Sequence, residues 1–265
     1  MNELSTVKPV KPVAAYIGGK LGLARRIGER IKDIPHETYA EAFVGMGGVF
    51  FRRDVRPKSE VINDYSEDVA TFFRVLRHHY VAFTDMIRWQ ISSRAEFERL
   101  IATDPATLTD MHRAARFLYL QRLAFGGKVA GRNFGVSTGR PAAFDVTKLV
   151  PMIEEVHDRL AGVVIERLPW AEFIRRYDRE GTLFYLDPPY YGNEGDYGRD
   201  LFSRDQFEAM AEVLAGIRGR FILSLNDRPE VRAIFQAFDI EAARVRYTIG
   251  GMDKSIIAGE VIIGN

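Results

Sequence analysis

Three short apolar runs in this chain end abruptly in glycine or in a carboxylate, and amphipathic stretches separate them. The first lies in ETYAEAFVGMGGVFF (37–51), a strand pattern that breaks into a glycine-rich turn. The second is EVIND (60–64), a short strand ending in acid. The third is TLFYLDPPYYG (182–192), fully apolar until Asp187. Around them the period changes. In LGLARRIGERI, Leu23, Ile27 and Ile31 recur four apart, a helix stripe. SEDVATFFRVLRHH (66–79) predicts a helix with Ser66 as N-cap, acids in its first turn and bases in its last, as the helix dipole favours. Ser93 and Glu96 form a capping box ahead of RAEFERLIA, and Ser203 and Gln206 form another ahead of FEAMAEVLAGIRG. Helices are also predicted over 110–125 and 147–160, a buried strand over 220–227, and two paired strands in AARVRYTIGG and SIIAGEVIIGN. Strands that alternate with helices imply an α/β protein whose mostly parallel sheet is covered on both faces.

In such a sheet, ligands sit at the carboxyl ends of the strands. The three abrupt endings therefore converge on one rim, and composition decides which chemistries can operate there. With no cysteine among 265 residues, disulfides, zinc–thiolate sites and thiol catalysis are excluded. The five histidines show no ligand spacing, and no metal is expected. The 46% hydrophobic content can fill a core, and no run approaches the roughly 18 apolar residues of a membrane span. The first residues, MNELSTVKPVKPVAAY, lack the apolar stretch of a signal peptide. A soluble, cytoplasmic, monomeric protein is expected. The net charge of +1 says little, but its distribution says more: the 34 residues between Asp110 and Asp145 contain no acid and carry Arg113, Arg116, Arg122, Lys128, Arg132 and Arg140. A polyanion would attach there. Within that stretch, residues 126–144 hold five glycines and little apolar periodicity, which predicts a loop or hairpin.

The rim residues suggest a ligand. Glycines after a strand allow close backbone approach. The spacing of Gly45, Gly47 and Gly48 matches neither the dinucleotide fingerprint nor a phosphate-gripping loop. Asp64 follows 17 residues after Gly47, at the next strand end, where a carboxylate can accept both hydroxyls of a ribose. In YIGGK (16–20), the bare residues favour a helix start with a solvated Lys20, the alternative being a pair with a ligand carboxylate. In the Asp187-Pro-Pro-Tyr step, the prolines remove two N–H donors but keep their carbonyls. Asp187 and the adjacent carbonyl then make an acceptor-only pair, suited to an NH₂ group. Tyr190 offers a flat face for stacking. The whole is shaped for an amino group on an aromatic heterocycle.

These residues resemble the Dam-type DNA adenine-N6 methyltransferases. YIGGK (16–20), EAFVGMGGVFF (41–51), IND (62–64), FYLDPPYY (184–191) and GEVIIGN (259–265) occur in that family's alpha order: cofactor motifs, target-recognition region, catalytic motif. The resemblance implies a Rossmann-like methyltransferase fold that binds S-adenosylmethionine. It implies a catalytic domain from residues 1–65 and 160–265 and a DNA-binding target-recognition insertion from 66–159, with helical and hairpin parts. Tyr16 and Lys20 would border the cofactor, Phe43, Gly45 and Gly47 would underlie its methionine part, and Asp64 would hold its ribose. Asp187, Pro188, Pro189 and Tyr190 would form the catalytic motif, with Asp187 also touching the cofactor. Lys128, Arg132, Asn133 and Arg140 are the candidates for reading double-stranded DNA. Tyr16 stands where relatives often have tryptophan, and Trp170 stands where many carry an acid, so Trp170 either stacks on the cofactor or fills core. The alternatives are methylation of another planar amino group, such as cytosine N4 or an RNA adenine, and a catalytically inactive DNA-binding relative.

Overall fold

The computed structural model describes residues 4–20, 22–135, 139, 141–194, 202–248 and 255–265. Two short strands, β1 (Ser5–Thr6) and β3 (Val55–Arg56), pair antiparallel as a small separate sheet. The main sheet contains β2 (Thr38–Glu41), β4 (Ser59–Asn63), β5 (Val164–Glu166), β6 (Thr182–Leu186), β7 (Arg220–Asn226), β8 (Asp239–Thr248) and β9 (Ser255–Gly264). Their order is β5-β4-β2-β6-β7-β9-β8. Neighbours are parallel except around β9, which runs against both β7 and β8. One reversed strand in an otherwise parallel sheet is the arrangement expected from the sequence.

The period-two alternation of these strands sorts their side chains into two cores. Tyr39, Ile62, Leu183, Tyr185, Ile222 and Ile262 face one side, where they join residues of α1 (Ala24–Asp33), α2 (Glu67–His78), α3 (Tyr80–Ile87), α4 (Arg94–Ala102), α5 (Asp110–Leu123) and α6 (Val146–Arg159). Ala40, Val61, Phe184, Leu186, Phe221, Leu223, Val261 and Ile263 face the other, against α7 (Trp170–Tyr177), α8 (Gln206–Ala215) and α9 (Pro229–Ile234). Residues 66–159 supply α2 to α6, and their apolar side chains are continuous with the sheet's first core. A buried carboxylate ties the two together. Glu60 on β4 receives two hydrogen bonds from Arg159 on α6, both 2.7 Å, and one from Arg53.

Local signals were right about helix positions and less right about caps. Leu23, Ile27 and Ile31 are all buried beneath α1. Ser93 accepts from the Glu96 N–H, but the Glu96 carboxylate turns to Arg99 instead of reaching back, so the box is half made. Ser66 sits at the N-cap of α2 without a side-chain bond, and its own N–H is donated to Asp64. The Ser203 box is not formed. α8 begins at Gln206, and that side chain is taken up by Ser203 Oγ and by Trp170.

The chain lays down β2, β4 and β5 outward in one direction, then returns past β2 to place β6 on its other side. The order reverses between β2 and β6, and a crevice forms at the carboxyl ends of strands flanking such a switch.

Candidate active site

Glu41 is level with Ile62 of β4 and Tyr185 of β6, so the segments that follow these three strands emerge side by side. The glycine loop after β2 is folded tightly. Val44 N–H bonds the Asn63 carbonyl at 2.9 Å, and Gly47 N–H bonds the Val44 carbonyl at 2.7 Å. Gly45 and Gly47 have φ of +50° and +73°, which side-chain-bearing residues rarely adopt. A Cβ on Gly45 would lie 2.8 Å from the Tyr16 ring, and one on Gly47 would lie 2.3 Å from Phe51. Asp64 holds this loop. Its Oδ2 accepts from Gly45 N–H and its Oδ1 from Ser66 N–H, each at 2.9 Å. Burial pushes the Asp64 carboxyl up to about 6, against the opposing pull of those two bonds.

Asp187 ends β6 in a polar cluster. Lys20 Nζ is 2.9 Å from its Oδ1, and the Ser224 hydroxyl donates to the same oxygen at 3.2 Å. Since Ser224 donates its one proton there, the Tyr185 hydroxyl, 2.8 Å away, is the donor to Ser224 Oγ. Burial raises Asp187 to about 6, while Lys20 pulls it down and Glu260 pushes it up. Lys20 also donates to the Tyr190 hydroxyl at 2.6 Å, and that hydroxyl donates to Glu260 Oε1 at 2.6 Å. Lys20 is 2% exposed, so the reading of a solvated lysine is wrong: it is a buried cation between Asp187 and Glu260. A pair with the protein's own carboxylates, which come from distant stretches of chain, is invisible in the local pattern YIGGK.

A cavity of about 530 Å³ opens over these groups. Tyr16, Lys20, Phe43, Gly45, Asp64, Asp187 and Pro189 line it. Gly47 does not, being turned toward Phe51, and Pro188 and Tyr190 are also absent from the lining. Sequence reasoning missed Glu41, which lines the cavity, accepts from Tyr39 OH at 2.7 Å and is pushed by burial to about 8. Arg52 also lines it, donating to the Gly48 carbonyl at 2.6 Å. Glu260 was missed as well; a lone carboxylate in an apolar strand was the available signal. Trp170 fills the second core and donates to Gln206 at 2.8 Å, away from the cavity lining. Tyr191 shapes the turn: its N–H and C=O bond the Asn226 side chain reciprocally, each at 3.0 Å.

The acid-free segment divides. Arg113 pairs with Asp68 at 2.6 Å, Arg116 donates to the Leu100 carbonyl at 2.7 Å, and Arg122 donates to the carbonyls of Val13 and Ala143. These three brace the protein. Lys128 and Asn133 are exposed, and Arg132 is half-buried with bonds to Lys128 O and Gln121 Oε1. Arg140 lies outside the described residues. Gln121 donates to Ala15 O at 2.8 Å and Gly127 O at 2.6 Å, and Ile17 N–H bonds Gly127 O at 3.0 Å. The loop carrying Lys128 and Arg132 is thereby stitched to the segment around Tyr16 that lines the cavity. Among the described residues, no group of three or more His, Asp or Glu could hold a metal ion, and no helix is long and apolar enough to cross a membrane.

A parallel sheet with one reversed strand, and a glycine loop, Asp64 and Asp187 gathered at its switch point, is a Rossmann-like fold with a ligand crevice. Residues 16–249 match the model of the D12 class N6 adenine-specific DNA methyltransferases, and the chain belongs to that family. It is 20% identical over 233 residues to the type II methyltransferase M.CviBI of Paramecium bursaria Chlorella virus NC1A, covering 86% of this chain and 88% of that one. It is 25% identical over 270 residues to a DNA N-6-adenine-methyltransferase of Escherichia phage P1, covering 91% of this chain but 34% of the phage protein. Among solved structures, a precorrin 8w decarboxylase from Methanobacterium thermoautotrophicum aligns with a TM-score of 0.38 and 10% identity, over 90% of this chain and 88% of that one.

Proposed function

We propose that this protein transfers a methyl group from S-adenosylmethionine to N6 of adenine in double-stranded DNA. The observation that carries the reading is the state of Asp187. Its Oδ1 is held by Lys20 and Ser224, at the wall of a cavity that also contains the glycine loop and Asp64. Among the described residues, both of its bonds engage one oxygen, which leaves Oδ2 to accept a hydrogen bond from an exocyclic amino group. Pro188 lends a neighbouring carbonyl for the second amino hydrogen, with no N–H of its own to compete.

The cavity fits the cofactor. Its volume lies within the range of small-molecule sites, and at its wall Gly45 lets the Tyr16 ring pack against the glycine loop, where a Cβ would collide with it. Asp64 would accept the ribose hydroxyls with the lone pairs its two N–H bonds leave. Lys20 is already committed to protein carboxylates, so Arg52, beside the glycine loop, is the cation placed for the amino-acid carboxylate. When bound, S-adenosylmethionine would supply a sulfonium methyl group, an electrophile that leaves a neutral thioether behind.

The chain's own work is then positional. The lone pair of adenine N6 is delocalised into the ring, and acceptance of both amino hydrogens by Asp187 and Pro188 draws it toward the nitrogen. The proton shed as N6 gains the methyl would pass to Asp187 Oδ2 and on to water. Tyr190, its hydroxyl anchored, would stack on the base. The target atom is inaccessible inside a duplex, so the base would be flipped out to Asp187, beside the cofactor cavity. Orientation of this kind contributes roughly 7–11 kcal/mol in favourable cases. Residues 66–159 are the proposed target-recognition part, and the loop bearing Lys128, Arg132 and Asn133 is its portion tied to the cavity wall. The test is expression in a methylation-free host followed by mapping of modified bases. N6-methyladenine at a fixed sequence supports the proposal; cytosine methylation, or none, contradicts it.

A further inference from the structure

Glu260 is the single charged residue between Ser255 and Gly264. Its side chain is 1% exposed. Burying a carboxylate is costly even when it is paired, and an apolar residue in such a strand is often the more stable choice. Stability alone therefore gives no reason for an acid here. The reversal of β9 supplies a geometric one. Glu260 is in register with Asn226, the last residue of β7, so the antiparallel strand delivers this carboxylate to the rim where the parallel strands end. There it meets two groups that come from opposite ends of the proposed site. Tyr190 OH donates to Oε1 at 2.6 Å, and Lys20 Nζ lies 3.4 Å from Oε2. Lys20 in turn bonds both the Tyr190 hydroxyl and Asp187 Oδ1, and its ammonium stands 4.1 Å from the centre of the Tyr190 ring.

The geometry points to Glu260 as a positioning residue for methyl transfer, which anchors the Tyr190 ring through its hydroxyl and holds Lys20 against Oδ1 of Asp187. The inference rests on the function proposed above and gives a role there to a residue of the GEVIIGN stretch to which none was assigned. Without Glu260, the tyrosine hydroxyl loses its acceptor and the lysine is shared differently. The ring plane and the accepting oxygen are then no longer fixed relative to each other. Glu260 does not touch the reacting atoms; it acts through Lys20 and Tyr190. Asp187 is also faced by Glu41, Tyr185 and Ser224.

The test uses the full chain and two substitutions. Glu260→Gln keeps the size and the Tyr190 acceptor but removes the charge; Glu260→Leu removes both. The first readout is the carboxyl titration of Asp187 in the free protein, followed with carbon-labelled aspartate and assigned through Asp187→Asn. Loss of the neighbouring negative charge moves that titration to lower pH in Glu260→Gln. The second readout is single-turnover methyl transfer to DNA, expected to fall about tenfold in Glu260→Gln and about a hundredfold in Glu260→Leu, with unchanged affinity for S-adenosylhomocysteine. An unmoved titration or an unmoved rate in a folded Glu260→Gln protein overturns the assignment. Should the leucine variant fail to fold, the glutamine variant decides alone. A wild-type protein that transfers nothing to DNA would count against the proposed function, while the titration in the free protein would still test the geometry.

Discussion

Lys20 Nζ and Asp187 Oδ1 form an ion pair of 2.9 Å that joins the first motif of the chain to the last strand-end carboxylate of the proposed site. The lysine side chain is 1% exposed. A pair so placed gives little net stability, but removing one partner leaves uncompensated charge behind. Lys20→Met should therefore destabilise the fold by about 3–5 kcal/mol, read as a lowered urea midpoint with an unchanged slope. A midpoint equal to wild type would show that the lysine is solvated after all.

The pH dependence follows from two carboxyls held near 6. Asp187 must be ionised to accept from an amino group, so the rate of methyl transfer should fall as pH drops through about 6. Stability should run the other way. Asp64 and Asp187 are both raised, so each favours the folded state fully below the ordinary aspartate value of about 3.9. That contribution is lost as pH rises through about 6. Urea titrations of wild type and Asp64→Asn between those limits isolate the effect: the wild type should lose stability relative to the variant as pH rises.

The two glycines of the loop separate by consequence. In Gly45→Ala the new methyl meets the Tyr16 ring at the cavity wall, and the positive φ is strained, so cofactor affinity should drop at least about tenfold. Gly47→Ala drives a methyl into Phe51 in the core and should cost about 1–3 kcal/mol of stability. Calorimetry with S-adenosylhomocysteine and denaturant titration distinguish the two. Equal, small effects in both assays would refute the division.

For the DNA contacts, Lys128→Glu and Arg132→Glu should weaken binding across all sequences and flatten the dependence of log affinity on log salt by about one unit per lost phosphate contact. Arg113→Ala should instead act through stability, because its guanidinium is spent on Asp68 and Glu67. Fluorescence anisotropy at several salt concentrations, paired with thermal melts, separates these outcomes. Unchanged affinity and slope in both charge reversals would remove this loop from the interface.

The strand endings were readable in advance because their signals are local: an apolar run with period two, then glycine or acid. The same holds for α1 and its Leu23–Ile27–Ile31 stripe. What could not be read depends on distant partners. The burial of Lys20 needs Asp187 and Glu260 beside it, and these meet only when β6 and β9 are in place. One cap differed for the same kind of reason: the Gln206 side chain accepts from Trp170, 36 residues away, so a tertiary partner took up one end of the Ser203 box. The basic segment looked uniform in sequence, yet Arg113, Arg116 and Arg122 brace the fold while Lys128 is exposed.

The central claim is that Asp187 accepts the amino group that is methylated. The most direct measurement is single-turnover transfer of labelled methyl from S-adenosylmethionine to an adenine-containing duplex, for wild type and Asp187→Ala, with circular dichroism as the fold check. The account predicts label on adenine N6 with the wild type. It predicts loss of transfer in the variant by about a thousandfold or more, with the spectrum preserved. Wild-type rates in a folded Asp187→Ala protein would contradict it.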